Sequence, residues 1–267
     1  MDVGEVIEQY LLTGEPPQWR RVPPAARRGV EQRLRQVLVA VVRHRAARAP
    51  RRRPRAAPEA PALAARIAPM LHGLLEPAQA ARALAVLPAR LVIPQVRTFA
   101  EDIDQVGLAE AWSIANLLLD DLGAPPISDD TPVLDGLCAS GRAFVAARAV
   151  DGGSGPAGGR DVVVHELAHL LHTLPAGVFG LTPAESPLLP VPPARQEPFA
   201  WAAERLSCRL REGRWPPLDA ALHDRRVDLE VLRRLSRAAE AEPGAAWSGL
   251  RRFAVDGLLP PLSEAGR

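Results

Sequence analysis

The sequence predicts an α+β fold that is predominantly helical, on three observations. Apolar residues recur at helical spacing through most of the 267 residues, one segment alone reads as a strand, and clusters of glycine and proline punctuate the rest. An apolar share of 47% is enough to build a core, and no internal repeat organises it.

The elements follow in order. Residues 3 to 12 and 25 to 48 carry helical periodicity, with Val30, Leu34, Val37, Leu38 and Val41 on the apolar stripe and Pro23 and Pro24 where a helix can begin. Residues 49 to 61 hold four prolines and no apolar period, which marks an exposed linker. A boundary there separates a basic helical N-terminal region with its Arg/Pro-rich linker, residues 1 to 61, from a second domain, residues 62 to 267.

Helices are predicted at 62 to 75 and 77 to 87, then a stronger one from Ile103 to Leu122. Its wide stripe of Leu108, Ala111, Trp112, Ala115, Leu118 and Leu119 belongs in a core, and Gly123, Pro125 and Pro126 end it. Gly141 to Val150 is the predicted strand, followed by a glycine-rich loop at 152 to 159 that leads into an apolar helix at 162 to 172. A proline-rich connection from Pro175 to Pro193 precedes helices at 198 to 212, 218 to 224, 227 to 241 and 244 to 257.

Charge is unevenly distributed. All 33 basic residues are arginine, and residues 20 to 55 hold 13 of them against the single acid Glu31, so this segment carries +12 in a chain of net +2 and the remainder carries −10. Clustered arginines attract phosphate, but aromatic interleaving and a recognisable binding motif are missing, so a solvated helix face with a linker is favoured over nucleic acid. The cysteines Cys138 and Cys208 cannot form a disulfide framework and read as buried thiols. No apolar run reaches the roughly 18 to 20 residues that span a bilayer, and Met1 to Tyr10 lacks the basic-then-apolar layout of a secretory signal. A cytoplasmic protein without a membrane partner is expected, with the oligomeric state left open.

The chemistry concentrates in Val162-Val-Val-His165-Glu166-Leu-Ala-His169-Leu-Leu-His172. Histidines at i and i+4 project from one helical face about a turn apart, so their imidazoles can meet on one tetrahedral Zn²⁺. Glu166 then lies beside the metal and is placed to take a proton from a water that attacks a peptide carbonyl. Burying these polar groups on an apolar helix needs partners, and a metal supplies them. The candidate third ligands are Glu185, Glu197 and Glu204. Glu197 and Glu204 stand two turns apart, so both cannot hold one ion. His172 shares the face but sits a turn further on, where a hydrogen bond near the site suits it better than ligation.

The helix Glu197-Pro-Phe-Ala200-Trp-Ala-Ala-Glu204 resembles the second-helix motif of the gluzincins, zinc peptidases with two histidines and a glutamate as ligands. The pattern of Glu197, Ala200 and Glu204, 28 residues after His169, is also similar to that of the thimet-type oligopeptidases, over roughly 45 residues. The resemblance implies a zincin-like metallopeptidase core with a small antiparallel sheet, with zinc on His165, His169 and Glu197, Glu166 as general base, and Ala200 packed close to the motif helix. It further implies an edge strand that holds extended substrate, and Gly141 to Val150 is the candidate. The metzincin pattern is excluded, because Leu174 to Gly180 supplies no further histidine. The sole tyrosine is Tyr10, which leaves His223, beside Asp224, Arg142 or Arg205 to stabilise an oxyanion.

The expected activity is zinc-dependent hydrolysis of peptide or protein substrates. Its rival is a non-proteolytic regulatory or interaction protein that keeps a zinc site and uses its basic N-terminal region to contact nucleic acid or a partner.

Overall fold

The computed structural model describes residues 3 to 50, 58 to 128, 134 to 150, 160 to 213, 215 to 216, 229 to 241 and 246 to 258. In chain order these form α1 (Val3–Thr13), α2 (Pro24–Ala46), α3 (Ala60–Leu74), α4 (Pro77–Val86), β1 (Leu91–Val92), α5 (Phe99–Asp102) and α6 (Leu108–Asp121). There follow β2 (Gly136–Ala139), β3 (Arg142–Val145), α7 (Val162–Thr173), α8 (Pro193–Glu212), α9 (Leu229–Ala241) and α10 (Ala246–Asp256). The fold is predominantly helical with one small mixed sheet of three strands, ordered β1-β3-β2. The expected helix at 218 to 224 and the glycine-rich loop at 152 to 159 lie outside the described residues.

Two compact units divide the chain. One comprises Met1–Ala56, Val92–Ser140 and Phe144–Ala147, and the other Ala57–Leu91, Gly141–Ala143 and Arg148–Arg267. The sequence reading draws a single cut at residue 61. In the structure the N-terminal helices instead share a core with residues 92 to 140, because the stripe Leu34, Leu38 and Val42 of α2 is completed by Ile114, Ala115 and Leu118 of α6. Each fully buried leucine or isoleucine there contributes about 2 kcal/mol.

Polar groups set the details of this first unit. The helix predicted from Ile103 to Leu122 begins only at Leu108, as α6, since Arg35 donates to the carbonyls of Ile103 and Val106, which lie in the connection from α5. Tyr10 donates its hydroxyl proton to the Leu108 carbonyl at 2.5 Å. Arg45 donates to the carbonyls of Pro125, Pro126 and Ile127. Arg35 and Arg45 of the arginine-rich run thus hold their own unit together.

The hairpin between β2 and β3 turns at Ser140 and Gly141, with φ of 47° and 71°, the left-handed pair that a tight two-residue hairpin turn requires. The strand expected over Gly141 to Val150 ends at Val145. The amides of Ala146 and Ala147 are taken by the Asp135 carbonyl and the Asp121 carboxylate, which terminates the ladder.

In the second unit α7 packs along α8, and α8 also carries α9 and α10. Val163, Leu167, Ala168 and Leu171 of α7 and Ala200 and Ala203 of α8 are fully buried. Gly73 of α3 lets Trp247 of α10 approach so closely that any Cβ at position 73 would clash with it. Helix α8 starts earlier than expected, at Pro193 rather than near Pro198, because Pro192 and Pro193 supply the extended-then-helical backbone of a helix start. Pro198 therefore lies inside the helix, and Glu197 is in its second turn. Among the described residues no helix is long and apolar enough to cross a membrane.

Candidate metal centre

Helix α7 begins at Asp161, whose carboxylate accepts the Val164 amide at 3.2 Å. Asp161 is fully buried and also receives Arg66 at 2.6 Å, Arg211 at 2.6 Å and the Ser207 hydroxyl at 2.9 Å. Helices α3 and α8 are thus tied to the start of the motif helix through one anion. The helix from Val162 to His172 is buried along its whole length, so His165, Glu166, His169 and His172 all sit away from bulk water.

His165, His169 and Glu197 come together, each offering a ligand atom within 4.8 Å of the others. The Nε2 atoms of His165 and His169 are 3.3 Å apart. Glu197 places Oε2 3.8 Å from the first and Oε1 3.6 Å from the second. For metal–nitrogen distances of about 2.0 to 2.1 Å, tetrahedral geometry separates two nitrogens by roughly 3.3 to 3.4 Å. The donor set fits one metal ion, with Glu197 a few tenths of an ångström wide of the ideal. Ala200, one helical turn beyond Glu197, is fully buried.

Glu204 stands on the other side of His165. Its Oε2 lies 3.1 Å from Nδ1, the nitrogen remote from the cluster, so Nδ1–H donates, and in the neutral ring Nε2 is left bare. Arg160 holds the same carboxylate through Nε at 2.8 Å and Nη2 at 3.2 Å, and its guanidinium lies over the Trp201 ring at 4.4 Å. Trp201 in turn meets the His165 ring edge-on. Of the two glutamates that the sequence offers on α8, Glu197 joins the Nε2 side and Glu204 supports the ring from behind, as carboxylates behind metal-ligating histidines do.

Electrostatics follow the same plan. Burial disfavours the charged form of His165, but the hydrogen bond to Glu204 and the charges of Glu166, Glu204 and Glu197 outweigh it and hold the ring above the usual histidine range. For Glu204 burial works upward, yet the hydrogen bond from His165 and the Arg160 guanidinium bring its pKa down to about 2. His172 is pushed down to about 4 by burial and by its neighbour His169. Carboxylates thus favour positive charge where the Nε2 atoms meet, which suits a cation.

The remaining candidates are placed elsewhere. Glu185 is exposed on the connection before α8. Arg205 turns to the Pro216 carbonyl and the Trp215 ring. His223 and Asp224 lie outside the described residues. Tyr10 is buried in the first unit. The expectation that Gly141 to Val150 forms a substrate-binding edge strand is overturned by the sheet order, since β3 is the central strand and β1 and β2 are the edges. A strand paired on both sides has no free ladder to offer a peptide. Cys138 is half-buried rather than buried, because it sits on the edge strand β2, whereas Cys208 is buried.

Asp161, Arg160, Arg66 and Arg211 were not singled out in the sequence. An aspartate immediately before an apolar helical run is a recognisable start signal for α7. The arginine partners lie up to 95 residues away, and no local pattern points to them. A scan against protein-family models, a search of curated proteins and a search of solved structures each find no match for this chain.

Proposed function

We propose that this chain is a zinc-dependent peptidase in which His165, His169 and Glu197 hold the metal and Glu166 is the general base. The observation that carries the reading is the approach of both Nε2 atoms and the Glu197 carboxylate to one another beside the buried Glu166. Nitrogen and oxygen donors in this number suit Zn²⁺ with a coordination position left open. Bound zinc supplies Lewis acidity, polarising a peptide carbonyl and making a water a stronger acid near neutral pH.

The protein's own groups do the rest. Glu166 follows His165 directly on α7, so the turn that presents the ligands also presents the base. Its carboxylate takes up the proton of the attacking water and returns it to the departing amine. Glu204 and Arg160 keep the His165 ring in one tautomer. The resemblance of the α7 and α8 motifs to the gluzincins supports peptide or protein as the substrate class.

Two measurements test this. Metal content by plasma mass spectrometry, on protein purified without chelator, is expected to give near one zinc per chain. A chelator-sensitive cleavage of a peptide library is expected in wild type and lost in Glu166→Gln, which keeps its zinc. A chain that binds no zinc and takes none up on reconstitution, or a Glu166→Gln variant that still cuts, overturns the proposal.

A further inference from the structure

The second metal-facing histidine is supported differently from the first. Nδ1 of His169 faces Nε2 of His172 at 2.9 Å. The two rings are nearly perpendicular, at 81° with centroids 5.1 Å apart, as the i,i+3 placement on α7 dictates. His172 is buried, its ring is walled by the edge-on contact with Phe199 of α8, and among the described residues its own Nδ1 has no well-aligned hydrogen-bond partner. A buried imidazole nitrogen without a partner is a destabilising feature, and a leucine or phenylalanine would avoid it at an otherwise apolar position.

Tautomer logic says what the imidazole is for. A histidine that gives Nε2 to a metal must carry its proton on Nδ1, and that proton needs an acceptor. For His165 the acceptor is Glu204. For His169 the facing atom is Nε2 of His172, which accepts only if the His172 proton sits on Nδ1, the atom left without a partner. The cost at that atom is then the counterpart of a correctly protonated His169.

We propose that His172 is a positioning residue that fixes His169 in its Nδ1–H form and aims Nε2 at the metal. The two ligands are consequently unlike: His165 is backed by a carboxylate that Arg160 clamps, and His169 by a neutral ring. This inference rests on the proposed metal site, but it is independent of whether the site cuts peptides.

The test compares zinc affinity, by competition with a chromogenic chelator, in wild type, His172→Phe and His172→Gln. Glutamine can accept from Nδ1–H of His169 where the imidazole did, and phenylalanine cannot. The expected result is zinc binding weaker by about 10- to 100-fold in His172→Phe and largely restored in His172→Gln. The Co²⁺-substituted protein is expected to show a shifted visible spectrum for the phenylalanine variant alone. Binding within about twofold of wild type with an unchanged Co²⁺ spectrum in His172→Phe overturns the role. Should that variant not fold, imidazole ¹⁵N spectra of the zinc-loaded wild type decide. Nδ1–H on His169 with a bare Nε2 on His172 supports the proposal, and the reverse overturns it. A wild-type chain that takes up no zinc removes this proposal and the metal site together, whereas uptake with an indifferent His172→Phe removes only this one.

Discussion

Glu204 and His165 are joined through the ring nitrogen that points away from the cluster: Oε2 lies 3.1 Å from Nδ1 while Nε2 faces His169 at 3.3 Å. The carboxylate is 1% exposed and takes two further hydrogen bonds from Arg160. A buried anion so placed depends on both partners, and each partner's geometry depends on it.

Removing the outer partner is expected to be costly. Arg160→Leu leaves the Glu204 carboxylate with His165 as its remaining partner among those described, and should destabilise the fold by about 3 kcal/mol. The lower end of the range for a broken buried pair applies because the Arg160 side chain keeps 22% exposure. Urea unfolding followed by circular dichroism measures it. A loss under about 1 kcal/mol would rank the pair with ordinary surface ion pairs.

Acid should act through the same group. The Glu204 pKa stands at about 2 in the fold against an ordinary 4.5, so its contribution is fully present above 4.5 and is lost as pH falls from there toward 2. The metal-free chain is expected to lose on the order of 3 kcal/mol across that window through this carboxylate. Unfolding midpoints of wild type and Glu204→Gln, taken from about pH 6 to about pH 2, should converge as pH drops. Parallel curves would contradict the assignment.

Ligand variants should separate the two glutamates of α8. Zinc affinity is expected to fall by more than about 100-fold in His165→Ala, His169→Ala and Glu197→Ala, and by about 10- to 100-fold in Glu204→Ala. Glu185→Ala, on an exposed connection, should bind as wild type does. Titration with a competing chelator gives the order. Equal losses at positions 185 and 197 would refute it.

The thiols provide a probe of packing next to the site. Burial, with Asp161 and Glu204 adding to it, pushes Cys208 up to about 12, so its reactive thiolate is scarce at neutral pH. Half-buried Cys138 is expected to react with a thiol reagent in the native protein at about pH 8, and Cys208 only after denaturation. Counting thiols released before and after adding denaturant checks this. Rapid reaction of both in the native state would mean that α8 does not seal Cys208.

Much of the architecture is readable from local pattern. Helices α2, α3, α4 and α7 lie within a few residues of where apolar spacing puts them, because a buried stripe at 3.6-residue spacing specifies its own helix. Reading failed where long-range hydrogen bonds intervene. Arg35 holds residues 103 to 107 out of the predicted helix, which starts at Leu108, and the Asp121 and Asp135 acceptors shorten the strand. Either Pro193 or Pro198 can open a helix by local rule, and in the fold α8 opens at Pro193.

The sequence by itself determined that two histidines share one face of a buried helix with a glutamate directly after the first, since the i,i+4 relation is a property of the helix and needs no partner. Tertiary structure alone decided which acidic residue faces the Nε2 atoms, which one supports His165, and that His172 lies behind His169. It also decided that β3 is central and that Asp161 gathers Arg66 and Arg211. The acidic and arginine contacts join elements separated by 28 to 95 residues, and their partners are chosen by how α3, α7 and α8 pack, which no local spacing encodes.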